Sequence, residues 1–143
     1  HEGQLKELLS RADGTEAAAY VLMGTSEVSA DPWSGRGRVR LVSHEVLSIP
    51  DADAISAGPA HVTWGTTSFV RLAKRAGKEE LVPAIAHTHP RGPTAFSGQD
   101  DANERELHHL VTNRNGADSR MASLLLSGGE LWRWSVNATW QNP

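Results

Sequence analysis

The stretch Ile85–Glu104, IAHTHPRGPTAFSGQDDANE, gathers histidine, serine and aspartate within twenty residues. His87 and His89 stand one residue apart, followed at once by Pro90. A turn-rich loop then leads to Ser97 and to Asp100, 11 residues beyond His89. Residues i and i+2 of a strand lie on one face, so the pair can offer two imidazoles to one point while Ala86 and Thr88 face the other way. Pro90 ends the strand and leaves the pair at its carboxyl end. Two neutral imidazoles and a carboxylate, with a fourth position open, form the usual donor set of catalytic zinc.

The same residues carry a plainer reading. Ser97-x-x-Asp100 is also how a helix begins, with Ser97 as the cap and Asp100 favoured at the positive end of the helix dipole. An isolated His-x-His usually has no metal role. The two readings of Ser97 are compatible, because a cap holds a hydroxyl in a fixed place. The joint spacing of the four residues is what favours a site.

The elements that must position them follow from periodicity. HEGQLKELLSRA has Leu5, Leu8 and Leu9 at helical spacing and closes at ADG. TEAAAYVLMG, Thr15 to Gly24, suits a buried strand ended by its glycine, with its first residues open to helix. TSEVSADPWSG reads as a loop, and RGRVRLVSHEVLSIP as one long alternating strand to about Ile49. DADAISAGP is a loop or helical turn, and AHVTW a short strand. GTTSFVRLAKRAGKEE is a helix with a threonine cap and Phe69, Val70, Leu72 and Ala73 on its apolar side. LVPAIAHTH is the strand bearing the histidines, and Pro83 argues that its beginning lies at an edge. A helix from Ser97 stops at Asn115-Gly116, and SRMASLLLSGGELWRWSVN is a hairpin turning at Ser127-Gly-Gly. ATWQNP reads as a tail. Helices interleave with a sheet that must be mixed, because its hairpin is antiparallel, so residues 1–143 form one α/β domain.

Composition narrows the function classes. The chain has 143 residues, 38% hydrophobic and 22% charged, which is a globular rather than a disordered balance. Its formal charge is −3 and its most basic stretch, RGRVR, alternates as a strand would, so nucleic acid is not the expected partner. No apolar run is long enough to span a membrane. There is no cysteine, which removes disulfides, thiolate metal ligands and a thiol nucleophile, and suits a cytoplasmic setting. Any metal here must be held by His, Asp or Glu.

With His87-Thr88-His89-Pro90, Ser97 and Asp100 at these offsets, the chain resembles the JAMM zinc metallopeptidases, whose signature is His-x-His-Pro followed by Ser-x-x-Asp. The order of elements is similar over most of the chain, which implies a JAB/MPN fold: a mixed, curved sheet flanked by helices. The resemblance implies that His87, His89 and Asp100 bind one zinc ion, with water in the fourth position. It also implies that Ser97 helps to stabilise a tetrahedral intermediate, and that a glutamate ahead of an apolar, glycine-ended strand is the general acid/base. Glu16, eight residues before Gly24, matches that last role. Independently, a carboxylate at the mouth of a buried strand is partly desolvated, which raises its pKa toward a useful range. Glu27 and Glu45 are weaker rivals.

The alanine-rich strand and the closing LLLSGGELWRWSV look most like the stand-alone bacterial JAB proteins of ubiquitin-like conjugation pathways. This implies an isopeptidase that cuts after the carboxyl-terminal glycine of a ubiquitin-like protein, in deconjugation or precursor processing, beside ubiquitin-activating or conjugating-like proteins. The modifier's tail would add as a strand along an edge near Ser56–Trp64. Processing of a sulfur-carrier protein, a RadC-like role and a non-catalytic MPN scaffold are the alternatives. His44, His61, His108 and His109 read as surface residues. Trp132 and Trp134 read as sheet packing, and SGRG lacks the length and lysine of a phosphate loop.

Overall fold

Alternation and helical spacing are realised as three helices and eight strands among the described residues of the computed structural model. Those residues are 2–9, 18–28, 32–33, 35, 37–49, 54–57, 62–64, 67–89, 98–127, 131–137 and 139–140. The helices are α1 (Glu2–Leu9), α2 (Thr67–Glu79) and α3 (Gly98–Asn115). The strands are β1 (Ala18–Val28), β2 (Arg38–Ser48), β3 (Ala54–Ala57), β4 (Val62–Trp64), β5 (Val82–His89), β6 (Ala122–Ser127), β7 (Leu131–Val136) and β8 (Thr139–Trp140).

Six strands make one sheet in the order β2-β1-β5-β6-β7-β8, and β3 pairs with β4 in a second sheet. β5 and β6 are parallel, joined through α3, while the other pairings are antiparallel. The sheet is therefore mixed, as expected. The period-two alternation sorts its residues onto two faces. Ala19, Val21, Ala84, Ala86, Ala122 and Leu126 form one core with Leu5 and Leu9 of α1. Tyr20, Leu22 and Ile85 form the other with Phe69, Leu72, Ala73 and Ala76 of α2 and Leu107 and Val111 of α3.

Three expectations need correction. β1 does not end at Gly24 but runs on to Val28, so TSEV is strand rather than loop. Beyond Met23 it pairs only with β2, from Gly24↔Val42 to Val28↔Arg38, and an exposed two-stranded ribbon needs no apolar residues to mark it. The AISA of the supposed loop is β3, and Thr139–Trp140 of the supposed tail is β8, hydrogen-bonded to β7. Both are too short for periodicity to register.

Pro83 meets its expectation in an informative way. β5 is central, yet its ladder with β6 starts only at Ala84↔Ala122, so at Pro83 it has a neighbour on the β1 side alone. A residue without an N–H is tolerated there. The cap of α2, the turn at 128–130 and the side chains of Trp132 and Trp134 lie outside the described residues. Among the described residues no helix is long and apolar enough to cross a membrane.

Candidate functional site

The site is set by the carboxyl end of β5. His87 pairs with Ala18 at the start of β1 and with Leu125 in β6, and only 7% of its surface is exposed. It belongs to the sheet face that carries Ile85 and Tyr20, the face covered by α2 and α3. Thr88 is equally buried on the opposite face. His89 is the last residue of β5 and the register partner of Ser127; strand alternation assigns its position to the face of His87. Its side chain lies outside the described set.

α3 begins at Gly98, so Asp100 sits in its first turn, as the capping pattern predicts, with its backbone described and its side chain not. Ser97, immediately before Gly98, and Glu16 lie outside the described residues. In the sequence Glu16 stands two residues before Ala18, the register partner of His87. Among the described residues no group of three His, Asp or Glu side chains gathers. Of the five site residues only His87 has a described side chain.

Register sets the rival glutamates apart from His87. Glu27 is on the part of β1 that pairs only with β2, nine residues beyond Ala18 and so roughly 30 Å along the strand. Glu45 pairs with Leu22, four residues beyond Ala18, and its carboxylate is engaged by the Arg75 guanidinium of α2. That hydrogen bond, with the charge of Arg75 behind it, holds the Glu45 carboxyl below the ordinary range and raises Arg75 in turn. Arg75 also donates to Glu79 at 2.6 Å, one turn along α2.

His44 and His109 are exposed, as expected, while His61 lies outside the described residues. His108 departs from expectation. It is half-buried with its Nε2 shielded from solvent, because the side of α3 that meets the sheet includes positions 104, 107, 108 and 111.

That same spacing reveals a residue the sequence reading passed over. Glu104 is 3% exposed, and its Oε1 accepts a 2.9 Å hydrogen bond from Ser135 Oγ of β7. Within DDANERELHH it looks like one more solvated charge. Its phase with Leu107 and Val111, at i+3 and i+7, was the available signal. Glu104 is also one helical turn beyond Asp100.

The family model for prokaryotic homologs of the JAB domain matches residues 1–133 of this chain. No curated protein matches it.

Proposed function

The chain belongs to the prokaryotic JAB domain family, and from that membership we propose that it is a zinc-dependent peptidase with His87, His89 and Asp100 as the metal ligands. The observation that supports the proposal is where β5 and α3 carry these positions. β5 ends in the histidine pair on the face that α3 covers, and Asp100 stands in the first turn of α3. The Glu104–Ser135 bond supports a common height. Ser135 is in register with Ser123 and thence Ile85, two residues before His87. Two strand residues advance about 6.6 Å and four helical residues about 6 Å, similar lengths that support Asp100 as a partner of His87.

The donor set fits zinc. Two imidazoles and one carboxylate match a catalytic site that keeps a position open, and a chain without cysteine has no thiolate alternative. Zinc held there would supply Lewis acidity toward the scissile carbonyl and would make a water more acidic. Glu16 takes the proton from the attacking water and hands it to the departing amine. Ser97 donates a hydrogen bond to the oxygen on which charge develops, an interaction worth about 3 kcal/mol at the transition state. Burial of His87 keeps its imidazole oriented and excludes bulk water from one side of the site.

The substrate is an amide following the carboxyl-terminal glycine of a ubiquitin-like protein, free or conjugated. The β3–β4 hairpin supports strand addition of its tail: among the described residues each strand pairs only with the other.

Zinc content of the purified protein tests the reading first. The expected result is one zinc per chain, lost in His87→Ala and Asp100→Ala. Cleavage of a ubiquitin-like fusion should then fall about 10²- to 10⁴-fold in Glu16→Ala with zinc retained. A wild-type chain that takes up no zinc, even when the metal is added, sinks the peptidase reading and leaves a non-catalytic module of the same family.

A further inference from the structure

We propose that Glu104 is a positioning residue: its buried carboxylate, held by Ser135 of β7, fixes the first turns of α3 against the sheet and so sets where Asp100 stands relative to His87. The inference rests on the zinc reading in taking Asp100 as a ligand, and extends it to a group outside the ligand set.

A carboxylate is an expensive group to bury, and it is kept inside only where hydrogen bonds compensate it. Here one oxygen accepts from a serine that is itself 3% exposed, on a strand hydrogen-bonded on both sides. Beside it on the sheet-facing side of α3 stand half-buried His108 and, packed among Phe69, Ile85 and Met121, the apolar Leu107 and Val111. Apolar contacts are non-directional and resist a small slide or roll of the helix weakly. A 2.9 Å bond to a fixed strand is directional and does resist it.

The far end of α3 has its own anchor, since Asn115 Nδ2 donates to the Ala73 carbonyl of α2 at 2.9 Å. Glu104 supplies the anchor near the site. Only one helical turn separates it from Asp100, so a shift at Glu104 reaches Asp100 undiminished. Ligand carboxylates depend on such supporting bonds for their geometry, and removing one typically weakens metal binding about 10- to 100-fold.

The experiment uses the full chain and two readouts. In metal-free protein, Ser135→Ala should speed amide hydrogen exchange in the first two turns of α3 about tenfold, with the turn anchored by Asn115 unchanged. In the same variant zinc affinity, measured against a chromophoric chelator, should fall about 10- to 100-fold. The visible bands of the cobalt-loaded protein should shift. Glu104→Gln keeps an oxygen for Ser135 and should stay close to wild type in both measurements.

Exchange that is unchanged, or that rises evenly along α3, overturns the proposal. So does an unaltered zinc affinity and cobalt spectrum in a Ser135→Ala protein whose first turns have loosened. A wild-type chain that binds no zinc overturns the ligand role of Asp100 instead, and the exchange result alone then decides whether Glu104 fixes the turn.

Discussion

On one face of the six-stranded sheet the eight-residue helix α1 lays Leu5 and Leu9 over a floor of alanines, Ala19, Ala84, Ala86 and Ala122. On the other, α2 and α3 cover Tyr20, Leu22 and Ile85 with larger side chains. Polar bonds join those helices to the strands beneath: Tyr20 to Ser68 at 2.6 Å, Ser135 to Glu104 at 2.9 Å, and Arg75 to Glu45. Each face also has a pocket, of different character. The one beside α1, about 190 Å³, is lined mainly by Leu5, Val21, Met23, Val46 and Leu124. The one beside α2, about 210 Å³, includes Tyr20, Ser48, Ser68, Arg71 and Arg75. His87 belongs to the second face. Apolar burial supplies energy without direction, while hydrogen bonds fix register at a smaller net gain. The polar bonds thus stand on the side of the sheet to which His87 belongs.

The largest expected contrast is in core truncation. Phe69 is fully buried and meets Tyr20 edge-on with ring centroids 6.0 Å apart, so Phe69→Ala should cost about 3–5 kcal/mol. Leu5 borders the pocket beside α1, where part of its surroundings is already open, so Leu5→Ala should cost near the lower end of the usual range, about 2 kcal/mol. Urea unfolding of the two variants measures the difference. Equal costs would break the comparison, because the α1 face would then be as tightly determined as the other.

The contact between α2 and α3 should show coupling. A Cβ added at Gly77 would lie 2.6 Å from Asn115 Oδ1, the same side chain that donates to the Ala73 carbonyl. Gly77→Ala alone therefore sets a helix-propensity gain of about 1 kcal/mol against a displaced hydrogen bond of similar worth. In an Asn115→Ala background the obstacle is gone and the gain should appear in full. A double-mutant cycle should give a coupling of about 1 kcal/mol. Strict additivity would mean that the helices do not meet there as described.

These features also mark how far the sequence could be read. The histidine strand, the start of α3 at the Ser-x-x-Asp pattern and the α2 stripe of Phe69, Leu72 and Ala73 all follow from periodicity and capping, because each is long or carries a fixed offset. The ribbon half of β1 was hidden by its polarity, since exposed strands need no alternation. Glu104 was hidden by its type: a glutamate among charged neighbours signals solvent, and only its phase with Leu107 and Val111 says otherwise. Of the site, the positions of His87, His89 and Asp100 on their elements match the sequence reading. Their roles as ligands, like the catalytic roles of Glu16 and Ser97, stand on the family resemblance.

The end of α2 offers a smaller effect of opposite sign. Leu81 N donates to the Ala76 carbonyl at 2.8 Å while Glu80 takes a φ of 57°, the left-handed closure that glycine usually fills at a helix end. A side chain there costs about 1 kcal/mol, so Glu80→Gly should stabilise the protein by up to that amount. Thermal unfolding would register it. A loss of stability would mean that the Glu80 side chain makes a compensating contact, and that the tie of α2 to the sheet begins one residue earlier than Leu81.

The smallest effect is expected from the Glu45–Arg75 pair, which separates exposed from buried polar bonds on the same face. Both side chains are about two-fifths exposed, at 41% and 39%. Solvent and salt therefore screen them, unlike Glu104 on the buried side of α3. Arg75 lowers the folded-state pKa of Glu45 below its ordinary value of 4.5, so the folded protein binds a proton there less readily than the unfolded chain. The stabilisation is complete above that ordinary value and is lost as pH falls through the lower, folded value. The stability of wild type minus that of Glu45→Gln, followed by urea unfolding from neutral pH downward, should be small and positive, begin to shrink near pH 4.5 and vanish at lower pH. Added salt should shrink it at every pH. A difference that survives both acid and salt would put Glu45 in the same class as Glu104, and the division between bonds that hold α3 over the site and bonds that merely decorate α2 would fall.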